Sequence, residues 1–309
     1  MARDGIASIG ECMLELSGRT GADWRMGFAG DTLNTLWALR ALSGPEREAS
    51  YVSAFGDDPF SKEQIAFFQA NGIGIGESPI IAGARPGLYA ITLTGAERSF
   101  TYWRGDSAAR QLASDPGRLS KSLENQSLVY FSGITLAILE PAARKTLIDA
   151  VDRARKAGSL VAFDPNYRPR LWASTDAARA AIDEAASIVD IALPTFPDEQ
   201  SLYGDATPED TASRLAAVGV KEIVVKNGEL PALVCNDGAV ESVPAVHVAE
   251  PVDTTGAGDS FNGSYLAARL AGSPPVEAAR TAHAVAAAVV QVRGALAPFE
   301  TLRAAFRPS

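Results

Sequence analysis

The chain has 309 residues, 47% of them hydrophobic and 21% charged, which excludes wholesale disorder and supplies enough material for one large domain. Its formal net charge of -9 disfavours general binding to nucleic acid or to an anionic membrane. Any anionic ligand therefore needs locally concentrated basic residues, and two cysteines with two histidines are too few for a disulfide framework or a zinc site.

In chain order, the first ten residues lack a long apolar core, so they do not read as a secretory signal. Residues 6–9 read as a buried strand, 32–42 as a helix, 51–54 as a strand and 59–71 as a helix. Two β-rich runs follow, 88–94 and 98–104, separated by Gly95-Ala96-Glu97 in the manner of a hairpin. In the second run Phe100, Tyr102 and Arg104 share one face by the two-residue period. Together with residues 14–28 these runs form a small sheet lying over the main body.

From Leu128 onward strand and helix alternate. The strand 128–132 precedes a helix after Pro141 that places Leu147, Val151 and Ala154 on one face and ends near Gly158. Strand 160–163 runs into Asp164-Pro165; helices over 175–187 and 208–218 alternate with strands over 188–193 and 222–226. Repeated units of this kind predict an α/β fold: a doubly wound, mostly parallel sheet flanked by helices, with ligands beyond the carboxyl ends of the strands. The expected organisation is a single domain over 1–309, with a β-rich lid from segments 14–28 and 83–106. The apolar stretch 284–292 is too short to span a bilayer, so a soluble, cytoplasmic protein is expected.

The strongest chemical signal is Val252-Asp253-Thr254-Thr255-Gly256-Ala257-Gly258-Asp259-Ser260-Phe261, followed by an alanine-rich helical pattern to Leu270. Small residues at Gly256, Ala257 and Gly258 let backbone amides approach a ligand where a helix begins, which makes an anion site. An acidic residue there is unusual company for an anion. It makes sense if the anion is a phosphoryl group in transfer and Asp259 accepts the proton of the attacking hydroxyl. The plainer reading is a helix start with an acidic first turn. No G-x-x-x-x-G-K-[ST] string occurs, and Gly72-Ile-Gly74-Ile-Gly76 lacks the final glycine spacing of a dinucleotide fingerprint.

The ten-residue string resembles the signature of the ribokinase-like, or pfkB-type, carbohydrate kinases, and the resemblance runs from Ile6 to about Phe299. It implies an ATP-dependent sugar kinase, with Asp259 as general base and the amides of Ala257, Gly258 and Asp259 at the Gly256 helix start as an anion hole. A second family motif is Phe28-Ala29-Gly30-Asp31-Thr32-Leu33-Asn34, in which Ala29 replaces the first of two usual glycines. Gly30 would let a sugar touch the backbone and Asn34 would bind hydroxyls, whereas Asp31 and Thr32 read as helix caps.

Two segments, Ser99-Phe-Thr-Tyr102-Trp103-Arg104 and Asp164-Pro-Asn-Tyr-Arg168-Pro-Arg170, look like the branch of that family acting on 2-keto-3-deoxygluconate. The substrate implied is a sugar acid, whose carboxylate an arginine fork recognises. Arg104 and Arg168 are the candidates, with Tyr89 and Tyr102 beside them. For both arginines a structural salt bridge is the alternative. The resemblance assigns Lys226, Gly228, Gly256, Gly258 and His283 to the nucleotide. Where the family carries Asn-x-x-Glu near magnesium, this chain has Thr195 and Asp198, so Asp198 is the one candidate metal residue, acting through water. Expected cofactors are ATP and Mg2+, with a monovalent cation such as K+ beside Asp253. The expected partners are the sugar acid and ATP, with no nucleic acid or membrane, and a homo-oligomer, at least a dimer through the lid. Two other readings stay open: another sugar kinase of the family, of fructokinase or ribokinase type, and a non-catalytic sugar-acid-binding module.

Overall fold

Helix starts are written in proline. Pro59, Pro116, Pro141, Pro208 and Pro275 each open a helix, where the missing amide would have had no intrahelical acceptor. The computed structural model describes residues 4–20, 22–94 and 97–308.

Between these helices the strands assemble into one sheet of eight. Their spatial order is Ala239–Val243, Ala232–Asn236, Glu222–Val225, Ile191–Ala192, Leu160–Asp164, Gln126–Ser132, Gly5–Ile9 and Ala49–Val52. Every pairing from Glu222–Val225 to Ala49–Val52 is parallel, and the two pairings beyond Glu222–Val225 are antiparallel. The two-residue period sorts the side chains. Ala7, Ile9, Val129, Phe131, Val161 and Phe163 bury into one layer of helices, and Ile6, Leu128, Tyr130 and Ala162 into the other. The mostly parallel sheet with helices on both faces is the architecture expected.

Two strands and one hairpin depart most from expectation, each for a local reason. The second strand is Ala49–Val52 rather than 51–54, because the Ser53 amide leaves the ladder and donates to Ser78 Oγ at 3.0 Å. The run 188–193 shrinks to Ile191–Ala192, because the amides of Ile188 and Val189 still close the end of the preceding helix onto Ala185 and Ala186. The hairpin of Ala232–Asn236 and Ala239–Val243 was not anticipated. Its Asp237-Gly238 turn has positive φ at both residues, 47° and 87°, the geometry that joins tightly paired antiparallel strands.

A second sheet of four strands has the order Asp23–Ala29, Met13–Thr20, Leu88–Thr94, Glu97–Trp103. Its strands fall in the segments read as a lid. The two central strands pair in parallel and the outer pairs are antiparallel. The hairpin turn at Gly95-Ala96 lies outside the described residues. Met13, Ala29 and Tyr89 of this sheet pack with Ala295 of the main body.

The parallel strands deliver their chemistry at one edge. Glu11 lies just past Ile9, Asp164 ends its strand, Lys226 follows Val225, and Thr195 bridges Lys226 in parallel. Above that edge the helices Asp31–Leu42 and Ala257–Leu270 cross very closely. A Cβ at Gly263 would lie 2.3 Å from the Thr35 carbonyl oxygen, so the missing side chain is what permits the crossing.

Candidate active site

The close crossing brings Asn34 to Asp259. Asn34 Nδ2 donates to Asp259 Oδ2 at 2.8 Å, and Asn34 Oδ1 accepts the Gly30 amide at 3.4 Å. Asp259 is partly buried. Burial first, then the charge of Asp31, pushes its carboxyl up to about 7, against the opposing effects of the Asn34 bond and Lys226. A carboxylate poised there is suited to taking a proton near neutral pH.

Gly256 starts the Asp259 helix with φ of 74°, a left-handed conformation that favours glycine. A Cβ at Gly256 would also lie 2.8 Å from the Ala295 carbonyl oxygen. No side chain caps this helix. The amides of Gly258 and Asp259, in its first turn, lack an intrahelical acceptor. The Ala257 amide, expected as a third anion-binding donor, instead closes a turn onto the Thr254 carbonyl at 3.3 Å. A ligand using it would have to replace that bond. The loop before the helix is fastened by Asp253, whose two carboxylate oxygens accept the amides of Thr255 and Gly294, both at 2.9 Å.

Lys226 faces the same helix start. A Cβ built on Gly258 would sit 3.9 Å from Lys226 Nζ. The ammonium is buried and donates to Asp164 Oδ2 at 2.7 Å, an oxygen that also accepts Asn262 Nδ2 at 2.7 Å. The other Asp164 oxygen accepts the Asn166 amide, and Asn166 Nδ2 donates to Asp31 Oδ2 at 2.9 Å. Asp164, Asn166 and Asn262 therefore tie the lysine to the Asp31–Asn34 helix, roles not anticipated from the sequence. Asn262 had a signal, since it lies one turn beyond Asp259. The pairing of Asp164 with Lys226 had none.

Beside the start of the Asp259 helix lies a cavity of about 340 Å³ whose lining includes Lys226, Gly228, Val246, Gly258, Phe261 and His283. Ala286 and Ala287 add small apolar side chains to its lining. His283 meets the Phe261 ring edge-on at 4.9 Å, and burial pulls its imidazole below the ordinary range against a hydrogen bond with the Val243 backbone. The larger cavity, about 740 Å³, lies between the lid strands and residues 293–296, and its lining includes none of Asp259, Asn34, Arg104 and Arg168.

The acid-end candidates are placed in two different ways. Arg104 forms a buried ion pair with Glu11, a partner with no signal in the sequence. Arg168 sits half exposed, donating from Nη1 to the Tyr167 carbonyl at 2.8 Å and to Asp198 Oδ2 at 3.0 Å. Tyr89 is buried, with its hydroxyl donating to Glu15, and its ring lies 5.6 Å from the exposed Tyr102. Gly30 carries a packing constraint of its own. Its φ of 173° is ordinary extended backbone, and a Cβ there would strike the Glu11 carbonyl oxygen at 2.2 Å. That backbone crossing by itself requires glycine here.

Among the described residues no group of three or more His, Cys, Asp or Glu side chains is arranged to hold a metal ion. Among the described residues no helix is long and apolar enough to cross a membrane.

The pfkB family of carbohydrate kinases matches residues 3–302. The chain is 41% identical to the 2-dehydro-3-deoxygluconokinase of Dickeya dadantii, over 98% of this chain and 100% of that protein. It is 41% identical to the enzyme of the same name from Escherichia coli K12, over 97% and 99%. Among solved structures, a 2-dehydro-3-deoxygluconokinase from Thermotoga maritima superposes with a TM-score of 0.84 at 21% identity, covering 97% of this chain and 98% of that one.

Proposed function

Because the chain belongs to the pfkB family of carbohydrate kinases, we propose that this sugar kinase phosphorylates 2-keto-3-deoxygluconate, the 2-dehydro-3-deoxygluconate of its relatives' names. ATP and the sugar acid would give the 6-phosphate and ADP. The observation that carries the reading is Asp259, held by Asn34 at 2.8 Å beside an uncapped helix start that Lys226 faces.

The Asp259 carboxylate takes the proton from the 6-hydroxyl as that oxygen attacks the γ-phosphate. The amides of Gly258 and Asp259, joined by that of Ala257 once its turn bond is replaced, stabilise the charge of the transferring group. Lys226, kept in place by Asp164, offsets phosphate charge. Gly228 and His283 line the base cavity. Magnesium carried on the nucleotide would supply charge neutralisation at its phosphates. Asp198, the metal candidate, has one carboxylate oxygen on Arg168.

Arg104 and Arg168 take the acid end, with Gly30, Asn34, Tyr89 and Tyr102 around the rest of the sugar. A potassium ion beside Asp253 would share that carboxylate with two backbone amides.

We read the chain as one kinase domain whose lid closes over the sugar and excludes water. The lid exposes Met26, Phe100, Tyr102 and Trp103, which supports a homodimer joined through it. Light scattering at assay concentration should then give twice the chain mass, and a strict monomer would contradict the dimer.

The test of the substrate is a coupled assay of ADP release over a panel of sugar acids and neutral ketoses. Efficient turnover of 2-keto-3-deoxygluconate is expected, with fructose and ribose poor. A preference for a neutral sugar would assign the chain to the fructokinase or ribokinase type, and absence of turnover would favour a binding module.

A further inference from the structure

A guanidinium has five N–H donors, and its Nε–Nη2 edge matches a carboxylate with two parallel bonds. This protein contains a completed example far from the site. Arg269 donates from Nε and Nη2 to the two oxygens of Glu222 at 2.8 and 2.9 Å, while its Nη1 donates to the Ser273 carbonyl at 2.6 Å. Arg168 has half of that arrangement. Both hydrogens of its Nη1 are spent, on the Tyr167 carbonyl at 2.8 Å and on Asp198 Oδ2 at 3.0 Å. Its Nε and Nη2 have no acceptor among the described residues, and the side chain is 49% exposed.

Arg104 is built differently. Its Nη2 is engaged by buried Glu11, and its Nε is buried with no acceptor, so that edge is closed. Of the two candidate forks, only Arg168 offers a complete open edge.

We propose that Asp198 is a positioning residue for Arg168, gripping Nη1 so that the Nε–Nη2 edge is presented to the carboxylate of the sugar acid. The proposal rests on the sugar-acid reading above and moves Asp198 from the metal to the acid end. Asp198 is suited to the task. It sits in the first turn of the helix Phe196–Tyr203, its own amide closes onto Thr195 at 3.0 Å, and its carboxylate is only partly exposed. Two further carboxylates, Asp164 and Asp31, also act on the Arg168 charge. An arriving anion therefore meets an acidic surround, and a misdirected fork would leave it facing repulsion.

The test uses the full chain with Asp198→Ala and Asp198→Asn, read by steady-state kinetics and by calorimetric binding of 2-keto-3-deoxygluconate without nucleotide or metal. Asp198→Ala should raise KM and the binary Kd for the acid about tenfold while changing kcat less than about twofold. Asp198→Asn keeps an acceptor for Nη1 and should recover most of that loss. KM for fructose and the half-saturating magnesium concentration should stay at wild-type values in both variants. A raised magnesium requirement with unchanged affinity for the acid would place Asp198 on the metal and overturn the proposal. Equal losses on both sugars with a lowered melting temperature would make the ion pair merely structural, which also overturns it. If the wild type itself neither binds nor turns over the acid, the sugar-acid reading fails, and this proposal falls with it for that separate reason.

Discussion

Asp259→Asn is expected to lower kcat by about 10² to 10⁴ while leaving nucleotide affinity and folding intact. Asparagine keeps the shape of the side chain and an oxygen for Asn34 Nδ2, which donates to Asp259 at 2.8 Å, but it has no basic lone pair for the sugar proton. The same residue sets the pH dependence. With its carboxyl at about 7, the wild-type rate should rise with pH through that value as the base form fills, then level off. The limb near pH 7 should vanish in the asparagine variant. Stability runs the other way. A carboxyl raised from 3.8 to about 7 on folding binds more protons in the native state, so its contribution is lost as pH rises between those values. The asparagine variant should therefore melt no lower than wild type at pH 8. Wild-type turnover in that variant, or a pH limb that survives in it, would remove Asp259 from the role of base.

Arg168→Ala is expected to lower kcat/KM for the sugar acid roughly 10- to 150-fold, the cost of losing hydrogen bonds to a charged group. A neutral ketose has no carboxylate to lose, so its poor efficiency should change little. The ion pair with Asp198 is partly exposed, at 49% and 24%, so its own worth to the fold is small. The melting temperature should accordingly move little. The measurement is kcat/KM for 2-keto-3-deoxygluconate and for fructose in both proteins, with melting curves alongside. Equal losses on the two sugars would move carboxylate recognition to Arg104.

What was legible in the sequence follows from how locally each feature is determined. The string from Val252 to Phe261 could be read because it is a backbone device. Gly256 needs a left-handed φ of 74°, and the helix behind it follows the local pattern. The alternation of strand and helix was legible for the same reason, since each unit carries its own periodicity. At Gly30 one constraint was not legible, because the atom that a Cβ there would strike belongs to Glu11, a residue from another part of the chain.

The polar scaffold was hidden. Lys226 and Asp164 are 62 residues apart, and Arg104 and Glu11 are 93 apart, so neither pair leaves a local trace. The first pair meets because parallel strands end at one edge, and the second because the strand Glu97–Trp103 of the smaller sheet delivers Arg104 to Glu11 at that edge, which no window of sequence displays. The Asp237-Gly238 hairpin is a different case. Its signal was present in the dipeptide and went unread, so the antiparallel edge of the main sheet was missed. Strand 188–193 failed through excess of signal, since apolar residues at the end of a helix look like the start of a strand.

The sharpest single measurement compares 2-keto-3-deoxygluconate with the same sugar reduced from carboxylate to hydroxymethyl at carbon 1, each with ATP and magnesium, the phosphorylated position being read by NMR. The acid should be phosphorylated on its 6-hydroxyl with a kcat/KM at least about tenfold above that of the neutral analogue. Equal efficiency on the two compounds, or phosphorylation at another hydroxyl, would contradict a kinase that grips a carboxylate at one end of its substrate and deprotonates the 6-hydroxyl at the other.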